Sequence, residues 1–283
     1  MNIGSKLVDT VERIEGLDAI AAPVVKLVQQ AVQPTVVRNL ASGTWIGHPM
    51  HPLLTDLPIG AWSMSAVLDL CGGKAAAPGA DLLVKAGIVA AVPTAFSGLN
   101  DWSDTYGPET RLGVVHAACV STALGLYTAS AVCRSRGKRG KGKMIGLLGL
   151  GALAAGGYLG GHLTFGKGVN VSAIAHEEGP AEWTSVLADG DLAEGEHRKV
   201  DADGTAVLLY RSADRVYALG NTCSHMGGPL DEGTFEGGCV TCPWHGSRFR
   251  MSDGTIERGP ACVDQPRYDT RVTDGQIQVR AAS

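Results

Sequence analysis

Apolar and polar positions follow two rhythms along this chain, and the change falls near residue 170. In the first part apolar residues run together. Met144 to Phe165 reads "MIGLLGLGALAAGGYLGGHLTF", free of charged residues and long enough to cross a hydrocarbon core of about 30 Å. Leu112 to Cys133 is a second such run. Two shorter ones precede it: Leu53 to Leu70, with Asp56 and Asp69 near its ends, and Ala86 to Asn100, with Pro93 near its middle. The pattern predicts four membrane-spanning helices, with a soluble four-helix bundle of unusually apolar helices as the alternative. Gly156 and Gly160, like Gly157 and Gly161, are four apart, a spacing that lets a neighbouring helix come close.

The first forty residues, opening "MNIGSKLVDTVERIEGLDAI", mix charge and apolarity at helical spacing, which predicts one or two amphipathic helices; a helix lying on a membrane surface is the alternative. They hold no continuous apolar h-region and no small-residue cleavage site, so no cleavable signal peptide is expected. After the last apolar run the chain turns polar through "GKGVNVSAIAHEEGPAE". From Trp183 onward, short alternating runs such as "TAVLLYRS", "RVYALG" and "QIQVRA" are separated by "DADG", "SADR" and "TDG". That rhythm predicts a small antiparallel β-sandwich or barrel. The expected chain is multi-domain: an amphipathic helical segment over 1–40, an all-α four-helix transmembrane bundle over 41–171, a linker over 172–182 and an all-β antiparallel sandwich over 183–283.

Charge sharpens this division. The chain carries a net charge of −4, but residues from His176 onward hold 18 acidic against 10 basic groups, and those before it 10 against 14. The basic residues form no stripe interleaved with exposed aromatics, which argues against nucleic acid as a partner. They gather instead in "RSRGKRGKGK", between the third and fourth runs, with Lys74 and Lys85 between the first two. By the positive-inside rule both loops face the cytoplasm, which predicts a multi-pass cell-membrane protein with its β domain on the non-cytoplasmic side.

The same topology brings four histidines to one membrane face: His48 and His51 before the first span, His116 about a turn into the third, and His162 about a turn from the end of the fourth. Asp56, Asp101, Trp102, Asp104 and Arg111 join them there. Ionisable groups at membrane depth are costly and usually functional. Two facing histidines could ligate a b-type haem, or bind and deprotonate a quinol; the plainer alternative is that each caps a helix end or hydrogen-bonds a nearby Asp.

Two short stretches of the β part carry its chemistry: "CSHMGGPL" and "CPWHGSRF". Cys223 and His225 are two apart, and Cys242 and His245 three apart. Structural zinc also takes two Cys and two His, but its ligands usually come as Cys-x2-4-Cys and His-x3-5-His. Here each loop supplies one of each, which suits a two-iron cluster with both thiolates on one iron and both imidazoles on the other.

These boxes, and the chain from Trp183 to its end, resemble Rieske 2Fe-2S proteins of the ferredoxin or oxygenase type. The resemblance implies that Cys223 and Cys242 bind an inner iron and that His225 and His245 bind an outer, exposed one through which electrons pass. It further implies that Gly227, Gly228 and Gly246 admit backbone amides to the cluster sulfides, and that Pro229 and Pro260 belong to segments shielding it from water. Rieske subunits of cytochrome bc complexes place an extra Cys in each box to form a disulfide; Gly228 and Trp244 stand there here, so that brace is not expected. High-potential members follow the second box with a Ser and a Tyr, where this chain has Ser247 and Phe249. One donor is kept and one lost, so the potential is expected below the upper end of the Rieske range of about −150 to +300 mV. Of the other cysteines, Cys239 is expected to pack inside, and Cys71, Cys119 and Cys133 read as small hydrophobes.

The helical part resembles the DUF2231 membrane domain through "GHPMHPLLTDLPIGAW" at 47–62, "DW" at 101–102, "VVHA" at 114–117 and "GGHLTFGKGVNV" at 160–171. That supports a lipid membrane as surroundings and little chemistry. No large catalytic domain follows the Rieske part, so the chain is expected not to be an oxygenase itself. The leading expectation is a membrane-anchored Rieske protein, an electron-transfer component of an oxidoreductase, carrying single electrons between a membrane site (quinone or haem) and a partner protein. The alternatives are an anchored ferredoxin for a separate oxygenase or reductase, with the spans a plain anchor, and a non-enzymatic redox sensor.

Overall fold

The computed structural model describes residues 3–282. The chain divides into two compact units. One comprises the residues up to Pro34 together with Pro49–Val169; the other comprises Thr35–His48 together with the chain from Asn170 onward. The division departs from the expected boundary at residue 40, which falls inside helix α3 (Thr35–Ser42). That helix belongs with the β part, for reasons given below.

In the helical unit, α1 (Ile3–Glu12) and α2 (Asp18–Ala31) precede four longer helices, α4 (Met50–Cys71), α5 (Ala77–Trp102), α6 (Gly107–Ser135) and α7 (Arg139–Gly161). Pro49 immediately before α4 and a proline in the first turn of both α5 and α6 suit helix starts, where the missing N–H costs no bond. The long helices pack chiefly as two hairpins, α4 with α5 and α6 with α7. Close approach depends on glycine. A Cβ on Gly87 would stand 2.3 Å from the Trp62 indole, and one on Gly156 would stand 2.7 Å from Val120. Of the two small-residue pairs expected in α7, Gly156 and Gly160 meet neighbours, whereas Gly157 and Gly161 have nothing within 4 Å. Trp62 stacks on Tyr127 with ring centroids 4.2 Å apart, at the centre of a core completed by Val84, Ala123 and Leu153.

The expected count of four spans is corrected here. Among the described residues three helices are long and apolar enough to cross a membrane: Ala77–Trp102, Gly107–Ser135 and Arg139–Gly166, with mean hydropathy of 1.7, 1.5 and 1.5. The first apolar run does form a helix, α4, but His51, Asp56, Asp69 and several hydroxyl residues dilute it. Its Asp69 serves a polar cluster in which Arg134 pairs with Asp69 and, at 2.9 Å, with Asp81. Arg139 reaches the same two carboxylates at 2.8 and 2.5 Å, and Lys143 donates to the Asp69 carbonyl at 2.7 Å.

The amphipathic helices at the start have a packing partner. Val8 and Val11 of α1 are buried against Leu112 and Leu159. Arg111 then grips α2 through Asp18, with bonds of 2.8 and 2.7 Å, and donates to the Glu12 carbonyl at 2.8 Å.

Among the described residues the second unit carries ten strands, β1 (Thr184–Ala188), β2 (His197–Ala202), β3 (Thr205–Ser212), β4 (Arg215–Gly220), β5 (Thr234–Glu236), β6 (Cys239–Thr241), β7 (Arg248–Arg250), β8 (Ile256–Arg258), β9 (Arg267–Thr273) and β10 (Gln276–Ala281). They form two antiparallel sheets, one of order β1-β10-β9-β4-β3-β2 and one of order β5-β6-β7-β8. The run Val207-Leu208-Leu209 on β3 is buried throughout because both faces of the larger sheet are covered. Val207 and Leu209 meet Ile277 and Val279 on one face, while Leu208 and Leu219 face Val240, Phe249 and Met251 on the other. Cys223 and Cys242 belong to that second core, so the candidate ligands are rooted in it.

Candidate metal centre

Cys223 and His225 follow β4, and Cys242 and His245 follow β6. The two boxes fold into the same turn. In the first, the Cys223 N–H donates to the Gly228 carbonyl at 2.9 Å and the Gly227 N–H to the Cys223 carbonyl at 2.9 Å. In the second, the Cys242 N–H donates to Ser247 at 2.8 Å and the Gly246 N–H to Cys242 at 3.1 Å. The fifth residue of each turn is left-handed, with φ of +81° at Gly227 and +72° at Gly246, and glycine adopts that conformation without steric cost. Both turns aim backbone N–H groups at their own sulfur: those of His225 and Met226 at Cys223, and those of Trp244 and His245 at Cys242.

The four donors stand as two pairs. The two thiols are hydrogen-bonded to each other, and the two imidazoles lie edge to face with centroids 5.1 Å apart. Among the described residues no three His, Cys, Asp or Glu side chains converge as they would on a single metal ion. A two-iron cluster matches that separation into pairs. The His225 Nδ1 is a buried ring nitrogen with no hydrogen-bond partner among the described residues, which is the state a metal ligand needs. Among the described residues no disulfide joins any two cysteines, Cys239 and Cys262 included.

The Rieske [2Fe-2S] domain family matches residues 182–269. Ferredoxin CarAc of Metapseudomonas resinovorans is 35% identical over 98 residues, covering 34% of this chain and 92% of that protein. The chain belongs to the Rieske [2Fe-2S] family. The anthranilate 1,2-dioxygenase ferredoxin subunit of Burkholderia cepacia is 31% identical, covering 35% of this chain and 92% of that protein. A solved ferredoxin of carbazole 1,9a-dioxygenase from Nocardioides aromaticivorans IC177 is 31% identical, with a TM-score of 0.34, and covers 36% of this chain and 100% of its own. Residues 47–173 match the predicted membrane protein family DUF2231. The Rieske domain implies a 2Fe-2S cluster as the cofactor, and membership of this family supports a role in carrying electrons.

Electrostatics around the Rieske boxes favour a neutral His225 imidazole and split the two thiols, easing deprotonation at Cys242 and opposing it at Cys223. Burial first, then His245 and Arg38, push the His225 imidazole down to about 3. The hydrogen bond with Cys223 is the largest influence on Cys242 and holds it below the usual thiol range; burial opposes, and the Trp244 and His245 N–H groups assist. The same hydrogen bond, with burial, pushes Cys223 up. In metal-free protein, His225 stays neutral while the unfolded chain takes up its proton below pH 6.5. The folded state is therefore fully stable above that pH and should lose about 1.4 kcal/mol for each unit of pH below it, until His225 itself charges near 3. Urea midpoints of the metal-free protein at pH 7.5 and 4.5 should differ accordingly, and a His225→Asn variant should flatten the difference.

The other expected cluster neighbours differ in what they offer. Gly228 has room for no side chain: a Cβ would stand 2.7 Å from the Cys242 Sγ. Pro229 closes the first loop through an isolated bridge to Thr222. The Ser247 Oγ accepts the Ala261 N–H at 3.0 Å, which leaves its hydroxyl proton to donate elsewhere. Phe249 is core, and Pro260 is buried beside Ala261. Sequence reasoning missed Gln265. Its buried amide donates to the Gly220 and Thr222 carbonyls at 2.8 and 2.6 Å and accepts the Ser224 N–H at 3.1 Å, pinning the first box to the larger sheet. Polar glutamine gives no periodic signal, so nothing in the sequence marked it.

The residues expected to gather on one membrane face separate into different roles. His48 belongs to the Rieske unit, while His51 and His116 lie in the helical unit. The His51 Nδ1 bonds the Thr94 carbonyl at 2.9 Å with its ring on Gly98, and the His116 Nδ1 bonds the Gly156 carbonyl at 2.8 Å with its ring on Gly160. His162 opens a π-helical turn, His162–Gly166, and its ring covers Gly166. Asp56 is exposed, and Asp101 accepts from Asn100 at 3.0 Å. Arg111 is committed to Asp18.

Proposed function

We propose that this protein is a membrane-anchored Rieske electron carrier that exchanges single electrons with a partner protein. Cys223 and Cys242 would hold the inner iron and His225 and His245 the outer one. The observation that carries this reading is the pair of matching turns, which present two thiols and two imidazoles as separate pairs. When bound, the 2Fe-2S cluster accepts and returns one electron at a time. The chain's own groups supply the setting: four backbone N–H groups aimed at the sulfurs lower the cost of the added negative charge, and the apolar core behind Cys223 and Cys242 excludes water. Trp244, 51% exposed beside His245, gives the outer edge a large apolar surface for docking.

Two of the ferredoxins among its relatives, of anthranilate 1,2-dioxygenase and of a naphthalene 1,2-dioxygenase system, belong by name to oxygenases, which supports an oxygenase or reductase as the partner here. A second reading rests on His51 and His116. With each Nδ1 held by a backbone carbonyl, each Nε2 keeps its lone pair, the form that haem iron or a quinol hydroxyl requires. The Lys and Arg bias of the loops supports a Rieske unit on the non-cytoplasmic side of a multi-pass protein.

Cluster reduction in detergent-solubilised protein tests these readings. Rapid reduction by NAD(P)H with a soluble reductase, and none by quinol, is the expected result; quinol-driven reduction abolished by His51→Ala and His116→Ala would overturn the plain-anchor reading. A potentiometric titration is expected to place the midpoint below about +300 mV, since Ser247 is present and Phe249 donates nothing. A midpoint at that limit would contradict the assignment of the second box.

A further inference from the structure

The Rieske unit contains a piece of chain that its ferredoxin relatives do not supply: the match to CarAc covers 34% of this chain, and Thr35–His48 lies far upstream of the Rieske residues 182–269. This segment closes on the loop around Pro260. Asn39 clamps the loop, its Nδ2 donating to the Glu257 carbonyl at 3.2 Å and its Oδ1 accepting the Gly259 N–H at 2.8 Å. Thr44 Oγ1 donates to the Ala261 carbonyl at 2.8 Å, and Cys262 Sγ to the Ser42 carbonyl at 3.2 Å. The fit is close enough that a Cβ on Gly259 would stand 2.4 Å from Thr44 Oγ1.

Arg38 precedes the clamping asparagine in α3 and is 3% exposed. It is carried by the helix that the Asn39 bonds fasten to the cluster loop, and its positive charge, after burial and His245, disfavours the protonated His225 imidazole. A buried cation is screened far less than a surface one, so its field acts on whatever charge collects at that imidazole's metal. We propose that Thr35–His48 is a built-in lid on the cluster loop and that Arg38, carried on it, raises the reduction potential of the cluster. Reduction adds one negative charge to the cluster, and the guanidinium stabilises the reduced form more than the oxidised form. Arg38 is a positioning charge that acts through its field at His225. This inference rests on the ligand assignment above.

The test is a potentiometric titration of the full chain in detergent, followed by EPR, with Arg38→Gln and Arg38→Lys beside the wild type. Arg38→Gln should lower the midpoint by about 59 mV, the equivalent of a tenfold change in the ratio of reduced to oxidised cluster. Arg38→Lys should restore most of the wild-type value. Equal shifts in both variants, or none in either, would overturn the proposal. Should Arg38→Gln assemble no cluster, Asn39→Ala decides: it removes the clamp while keeping the charge on the chain, and its midpoint should also fall. An unmoved midpoint in Asn39→Ala would overturn the lid. The EPR line shape separates the two levels of inference, because a Rieske-type signal at an unchanged midpoint refutes Arg38 alone, whereas a signal of another type refutes the ligand set.

Discussion

An alanine at position 228 is expected to strip most of the iron from the protein although it replaces no ligand. The new Cβ would stand 2.7 Å from the Cys242 Sγ and 3.1 Å from the Trp244 ring, while the Gly228 carbonyl still had to hold the Cys223 N–H at 2.9 Å. Overpacking of this kind costs about 1–3 kcal/mol, and here the strain falls on a thiol that must stay aimed at a metal. Gly227 is the comparison. Its left-handed φ of +81° makes a side chain strained, but a Cβ there meets nothing nearer than 3.6 Å. Gly227→Ala should therefore cost about 1 kcal/mol and keep its cluster, whereas Gly228→Ala should lose it. Iron and acid-labile sulfide per chain, read beside the visible spectrum, distinguish the two; wild-type iron in Gly228→Ala would show that the thiol has room to move.

Replacing Arg134 with methionine should destabilise the helical unit by about 3–5 kcal/mol. The side chains of Arg134 and Asp69 are 3% and 6% exposed, so the change leaves a buried carboxylate with only Arg139 and Lys143 to answer it. It also removes the bond from the Arg134 Nε to Ser130 Oγ at 3.0 Å. Thermal unfolding in detergent, followed by the helical circular dichroism signal, measures the loss. Asp69→Asn combined with Arg134→Met should recover part of it, because the buried charge at position 69 is then removed together with its most buried partner. A transition unchanged in Arg134→Met would mean that the cluster is solvated and contributes little.

What could be read from the sequence was local. The two boxes lie within eight residues each, so the pairing of thiol with imidazole was visible without knowing the fold. The β-rich character of the Rieske unit was equally plain in β3, where a run buried on both faces is apolar throughout. Long-range partnerships were hidden. The cations of the loop ahead of α7 read as a sign of orientation, yet Arg134 and Arg139 also neutralise Asp69 and Asp81, which lie more than fifty residues earlier. Arg111 looked like part of a membrane site and proves to hold α2. Periodicity cannot reveal such pairs, because one charged residue on an otherwise apolar helix looks the same whatever it meets. α4 falls short of the other three long helices in apolarity for a related reason: it has the length to cross a membrane but carries polar groups that serve packing and ion pairing within its unit.

The order in which the chain is made bears on the lid. Ser42 and Asn39 leave the ribosome some 220 residues before Cys262 and Gly259, their eventual partners. At ordinary synthesis rates that interval is roughly 10–45 s, during which α4 to α7 are also made. Throughout it α3, whose apolar and polar faces are destined for a domain that does not yet exist, must remain unpaired. Docking of this segment is therefore a late step of maturation, and metal insertion has an open loop around Pro260 until it occurs.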